Sequence, residues 1–373
     1  MENLLLASFG EIMTYVGYIA LAVLVLLVMI TVHEFGHYIA GKIFKFGIDE
    51  FAIGFGPKLF SKKKKNGEVV SVRLLPIGGF CAFRGEDQES DDPLAFNNKK
   101  WWQRIIVLVS GAFMNYLLAL VVIVLMFGIY GQTVLVPVNL TPTQNIAQEY
   151  CFQSRDIIIT ANGQNVYMIP DLMDAIEGKN QGDLVDFVVR RNGVDTPVKI
   201  QMRSNTNFKN VEDTVTLYDA LGFSYSLDEN GQIAQSGLYS TSIKLGFFKT
   251  IGRSFEYSFM LAGSIFKILG QLITGTLGIN SLGGTVTTIS VTATAIKIGG
   301  FRNLLNIASF IGVNLAVFNL LPFPALDGSR VVFTAIEGVR GKPINRRVEG
   351  LIHTVGLFLL LAFAVFVDLQ QCF

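Results

Sequence analysis

His33-Glu34-Phe35-Gly36-His37 follows an apolar run from about Ile12 to Ile30 that continues, less purely, through Tyr38–Phe44. A bilayer core about 30 Å thick needs about 20 helical residues, so this stretch is long enough to cross. No basic region precedes it and no small-residue cleavage site ends it, so it reads as a span rather than a signal peptide. On a helix, residues i and i+4 share one face, and two imidazoles one turn apart can bind a single Zn²⁺. Glu34 lies beside them, where a carboxylate can act as general base on water. An ionised side chain inside a span costs about 2.5–3.5 kcal/mol on insertion scales, so three titratable groups in five positions point to chemistry.

The rest of the chain agrees with a membrane setting. Of 373 residues 51% are apolar and only 16% are charged, and the mean hydropathy is +0.47. An ordinary soluble domain carries about 25% charged residues, so the deficit excludes a disordered chain and argues against a purely soluble one. Thirty Lys+Arg against 29 Asp+Glu give a net +1, which leaves no reason to expect a nucleic-acid partner. Cys81, Cys151 and Cys372 lie far apart, and form neither a disulfide framework nor a cysteine metal site.

Further spans are expected at Ile105–Tyr130, about Leu304–Leu321, and Leu351–Val367, making about four in all. Lys42, Lys45, Lys58 and Lys62 to Lys65 follow the first; Lys99, Lys100 and Arg104 precede the second. Arg340, Lys342, Arg346 and Arg347 lie between the third and fourth. The positive-inside rule makes these loops cytoplasmic and places both termini and 131–300 outside. The expected fold is a multi-pass α-helical membrane protein of the cell (inner or plasma) membrane, with a membrane-associated β-hairpin and an inserted, extramembrane β-rich domain.

The expected parts are a first span with the histidine motif (1–44), a hairpin region turning at Asn66-Gly67 (45–100), and a second span (101–130). A β-rich domain follows (131–235), with strands at 156–160, 185–190 and 198–202, a short helix at 171–176, and a turn at Asn192-Gly193. Residues 236–300 read as a connector plus an amphipathic segment, 241–275, lying on the membrane surface; a fifth crossing is the alternative. The third span (301–338) and a loop with the fourth (339–373) complete the chain.

A catalytic zinc takes three protein ligands and keeps one position open. Two residues could supply the third: His353, at the start of the fourth span, and Asp327 in Asn319-Leu320-Leu321-Pro322-Phe323-Pro324-Ala325-Leu326-Asp327-Gly328. Asp327 is the better candidate. Two prolines break the helix there, irregular backbone at membrane depth is tolerated only beside protein or water, and the topology puts this end at the depth of His33 and His37.

HEFGH and NLLPFPALDG together resemble the site-2 protease family of intramembrane zinc metalloproteases. Pro76-Ile77-Gly78-Gly79-Phe80 resembles the family's membrane-associated hairpin, and Gly111-Ala112-Phe113-Met114-Asn115 its GxxxN motif, with Ala112 where many members have proline. The resemblance implies Zn²⁺ on His33, His37 and Asp327, Glu34 as base, and substrate contacts from Asn319 and Asn115. It also suggests that the Gly78-Gly79 strand edge holds an unwound substrate segment. Asp156-Ile157-Ile158 and Asn162-Gly163 are similar to the PDZ module this family inserts, although Cys151–Arg155 departs from its usual Gly-Leu-x-x-Gly.

The expected function is therefore an intramembrane zinc endopeptidase acting on single-span substrates in a lipid bilayer, in regulated intramembrane proteolysis. Anti-sigma-factor-like proteins and signal-peptide remnants are the expected substrate types. The alternative is a non-proteolytic membrane binding protein with a structural or inactive metal site, against which an intact Glu34 counts. A transporter is a third class, but no paired broken helices occur in two halves of the chain.

Overall fold

The computed structural model describes residues 9–86, 90–142, 146–208, 213–228, 233–275, 278 and 283–370. The chain opens with α1 (Phe9–Ile43), β1 (Ile48–Lys63), β2 (Val69–Phe83) and α2 (Trp101–Tyr130). Then come β3 (Gln132–Pro137), β4 (Ile157–Ala161), β5 (Gln164–Asn165), α3 (Ile169–Ile176), β6 (Leu184–Arg191) and β7 (Val194–Gln201). After these follow α4 (Thr214–Leu221), β8 (Tyr225–Leu227), β9 (Ile233–Ser236) and β10 (Leu238–Ile243). The helices α5 (Phe247–Thr274), α6 (Thr285–Leu320), α7 (Asp327–Arg340) and α8 (Arg346–Gln370) close the chain. Two compact units result: residues up to 126 together with those from 251 onward, and 127–250 between them.

In the first unit α1, α2, α5, α6 and α8 are each long and apolar enough to cross a membrane. Four such spans were expected; α5 adds a fifth candidate because 247–274 forms one continuous helix, the least apolar of the five. Residues 285–299, expected as connector, form the first part of α6, which breaks at Gly300 (φ 57°, ψ −141°). There the Asn303 side-chain amide reaches back across the break and donates to the Ala295 carbonyl at 2.9 Å.

Close approach of backbones sets the helix order. Gly36 of α1 lies so near α2 that a Cβ would stand 2.8 Å from the Ser110 carbonyl carbon and 2.9 Å from Met114 Cγ. Gly312 of α6 is nestled between Ala119 of α2 and Met29 of α1 in the same manner. Farther along, Asn115 and Asn319 both reach His33. From Met29 to His33, α1 and α6 therefore advance together while α2 runs against them.

The β1–β2 hairpin is folded back on itself. Residues 50–53 of β1 pair with 79–82 of β2 on one side and with 69–72 on the other, while 69–73 also pair with 58–63. Register breaks between Ile53 and Phe60 allow the fold-back. Segment 79–83 is left as an edge lying against α1. Glu68, fully buried after the Asn66-Gly67 turn, pairs with Lys42 of α1 and, at 2.9 Å, with Lys64. The hairpin tip is thereby tied to the end of the helix that carries both histidines.

The second unit is an antiparallel sheet in the order β10-β3-β4-β6-β7, with β5 paired to β4. Helices α3 and α4 add Leu172, Ile176 and Leu217 to a core with Ile158, Phe187 and Phe223. Asn162-Gly163 and Asn192-Gly193 all have positive φ, the conformation that two-residue hairpin turns require. Asp156 takes both Arg191 nitrogens at 2.8 Å and caps the Gln153 amide at 2.9 Å. The sheet extends past the expected boundary at 235, since β10 pairs along the whole of β3 and joins the unit's first and last strands.

Candidate metal centre

His33 and His37 lie on the buried face of α1 because their i, i+4 spacing sets both toward α2 and α6. Their Nε2 atoms are 3.2 Å apart, and Asp327 Oδ2, on the first residue of α7, is 3.0 Å from one and 3.3 Å from the other. Edges of about 3.3 Å are what tetrahedral bonds of about 2.0–2.1 Å produce, so the spacing fits one zinc ion. The donor chemistry fits as well. Asp327 Oδ2 is buried and receives no hydrogen bond. His37 Nδ1 is 2.7 Å from the Val107 carbonyl, which accepts its proton and leaves Nε2 a free lone pair. Three lone-pair atoms facing one another need a cation between them.

The same logic assigns the Asn115 amide. Its Nδ2 is placed 3.4 Å from His33 Nδ1, while its Oδ1 is buried without a partner. Exchanging oxygen and nitrogen lets Oδ1 accept from His33 Nδ1–H, which again leaves Nε2 free to ligate. Asn319 Nδ2 stands 3.5 Å from the same ring nitrogen. Both asparagines thus reach the back of a ligand, a contact different from the substrate contact that the resemblance implies.

Gly111 carries a packing requirement that was visible only as part of a motif. A Cβ there would lie 2.6 Å from His37 Cε1 and 2.8 Å from His33 Cε1, so the ring pair fits against α2 only over bare backbone. Gly79 on β2 brings the hairpin edge to the base: a Cβ on it would be 3.6 Å from Glu34 Cγ. The Cys81 backbone N–H faces the Glu34 carboxylate. Gly78 packs on Phe55 inside the hairpin with φ +103°, shaping the edge rather than touching the base. Burial pushes the Cys81 thiol far above its usual range.

His353 is not among the converging groups. Its Nδ1 accepts from the Ala325 amide at 3.1 Å, and its ring meets Phe333 edge-on at 5.7 Å. Sequence reasoning also missed the Val107 carbonyl and the Cys81 amide, which are backbone groups without any side-chain signature.

Comparison with known proteins agrees with this chemistry. A family model described as Peptidase family M50 matches residues 21–363. A protein of Clostridium perfringens named as a zinc metalloprotease is 34% identical over 95% of this chain and 98% of its own length. One of Clostridium acetobutylicum, named likewise, is 30% identical over 95% and 96%. The zinc metalloprotease RasP of Bacillus licheniformis is 29% identical over 91% of this chain and 96% of that protein.

Proposed function

The chain belongs to peptidase family M50, a family of zinc metalloproteases, and from that premise we propose that it is an intramembrane endopeptidase cutting single-span membrane proteins. The observation that carries this is the convergence of His33 Nε2, His37 Nε2 and Asp327 Oδ2, with Glu34 held beside them by the hairpin edge. These three residues would hold the zinc, which supplies Lewis-acid polarisation of a peptide carbonyl and acidifies water.

The chain's own groups do the rest. Glu34 takes a proton from the attacking water as its oxygen bonds to the carbonyl carbon, and returns it to the amide nitrogen as the C–N bond breaks. The Cys81 amide aims the carboxylate inward and keeps it from snorkelling to the interface. A helical substrate has all its backbone hydrogen bonds made and must be unwound before cleavage. Segment 79–83, paired on one side only, offers an edge that can hold the unwound stretch extended.

The lysine-rich loops put the zinc site near the cytoplasmic face and the PDZ-like unit outside. α6 advances with α1, so it too enters from outside, and an even number of crossings must separate α2 from α6. That parity supports a surface position for α5 despite its length. The role is regulated intramembrane proteolysis, on substrates whose outer part a first cut has shortened, with anti-sigma-factor-like proteins and signal-peptide remnants as candidates.

Cleavage of a model single-span substrate by wild type and Glu34→Gln, with zinc content measured on both, tests the mechanism. Loss of cleavage with zinc retained is expected. A Glu34→Gln protein that cuts at the wild-type rate sinks the assignment.

A further inference from the structure

The turn that delivers Asp327 is held from outside. Leu321 ends α6, and Pro322 and Pro324 have no N–H to give. The Phe323 amide donates to Leu321 O at 2.7 Å and the Leu326 amide to Phe323 O at 3.1 Å, so both stay within the turn. Ala325 differs. Its φ is +78°, in the left-handed region that a Cβ disfavours, and its amide leaves the turn to meet His353 Nδ1 of α8 at 3.1 Å. One turn later α8 presents Gly356, where a Cβ would stand 2.9 Å from the Pro324 carbonyl carbon. α8 therefore abuts the turn at two successive points, and at one of them it supplies the acceptor for a strained amide two residues ahead of Asp327.

We propose that His353 is a positioning residue: by accepting the Ala325 amide it holds the Pro322–Leu326 turn in the conformation that directs Asp327 at His33 and His37. This rests on the metalloprotease reading above, to which it adds a role for the last helix. His353 must present Nδ1 as a lone pair, so its neutral form carries the proton on Nε2. Without that acceptor the half-buried Ala325 amide loses its partner, and Ala325 can relax toward negative φ and swing Asp327 away.

The test uses the full-length protein in detergent. His353→Phe keeps a ring against Phe333 but has no acceptor; His353→Asn places Oδ1 where Nδ1 was; Ala325→Gly removes the cost of positive φ. Zinc retention against a chelator, kcat and KM on a single-span substrate, and hydrogen exchange of the 320–330 backbone in metal-stripped protein are measured on each. For His353→Phe, roughly tenfold losses in zinc affinity and kcat are expected with KM little changed, as for other groups that orient a ligand. Exchange at 325–327 should rise even without metal. His353→Asn should stay near wild type, and adding Ala325→Gly to His353→Phe should recover part of the loss. The inference falls if His353→Phe matches wild type in exchange and zinc retention, or if His353→Asn is as damaged as His353→Phe, which would make the ring's packing the operative feature. A wild-type protein without zinc or cleavage would instead sink the metalloprotease mechanism, while the metal-free exchange measurement still decides the role of His353.

Discussion

Arg104, in the first turn of α2, donates from Nη1 to Glu337 of α7 at 2.6 Å, and both side chains are buried. The Ile344 amide at 2.9 Å and the Arg346 guanidinium at 3.0 Å fill the other carboxylate oxygen. Burial by itself would raise the Glu337 carboxyl, but these donors hold it below its usual range. α7 begins with a zinc ligand and, almost three turns later, is bolted by a carboxylate to α2 and to the start of α8.

Arg104→Met should therefore destabilise the protein by about 3–5 kcal/mol, the usual consequence of leaving one member of a buried pair without its partner. Thermal unfolding in detergent measures it. A midpoint equal to wild type would mean that Arg346 alone compensates Glu337.

Gly111→Ala should cost the protein its zinc, because the new methyl group occupies space held by both imidazole rings. Gly128→Ala, on the same helix with nothing near the added carbon, is the control and should bind zinc normally. Metal analysis of the two purified variants separates a local steric effect from a general sensitivity of α2.

Much of this centre could be read before any coordinates. An i, i+4 histidine pair is a local pattern, and the double proline before Asp327 marks a broken helix wherever it occurs. Asp327 as third partner followed from the broken helix around it together with matching membrane depth, which the positive-inside rule supplies. What stayed hidden depends on contacts between residues far apart in the chain. Arg104 looked like a topology marker because nothing near it in sequence shows Glu337 opposite. His353 stood in sequence only as a second candidate ligand, since its actual partner is a backbone amide. Residues 276–300 looked like a connector because Thr, Ser and Gly disfavour helix in isolation, whereas packing of Ala293 and Ile296 inside the unit overrides that preference.

Glu68 gives a pH signature. Its burial opposes ionisation, yet Lys42, Lys64, Asn66 and Tyr38 hold its pKa down to about 2. A folded pKa below the unfolded value of about 4.3 means stability that is fully present above that value and lost as pH falls toward 2. Glu68→Gln should be less stable at neutral pH and show a flatter profile across that acid window. Denaturation midpoints at several pH values check it; parallel profiles would show that the hairpin tip contributes nothing.

Sidedness has its own test. A cysteine placed at Asn66 should react with an impermeant thiol reagent only from the cytoplasm, and one at Asn192 only from outside. Reversed labelling would turn the site to the other face and overturn the orientation proposed above.

Excising 132–243 removes β3 and its partner β10 together, and should leave zinc binding intact, since the ligands and their supports lie in the other unit. If the excised unit is a size filter, the shortened enzyme should also cut substrates with bulky outer domains. Continued rejection of them would leave the fold reading in place and remove the filter.

The two imidazoles and the base lie on α1, whereas Asp327 and the helix that props it come far later along the chain. A ribosome that has delivered α1 and α2 into the bilayer has delivered an incomplete tool. A chain cut short ahead of α7 lacks the third of the converging groups. Dividing the ligands between α1 and α7 thus makes the centre depend on both helices being made and brought together.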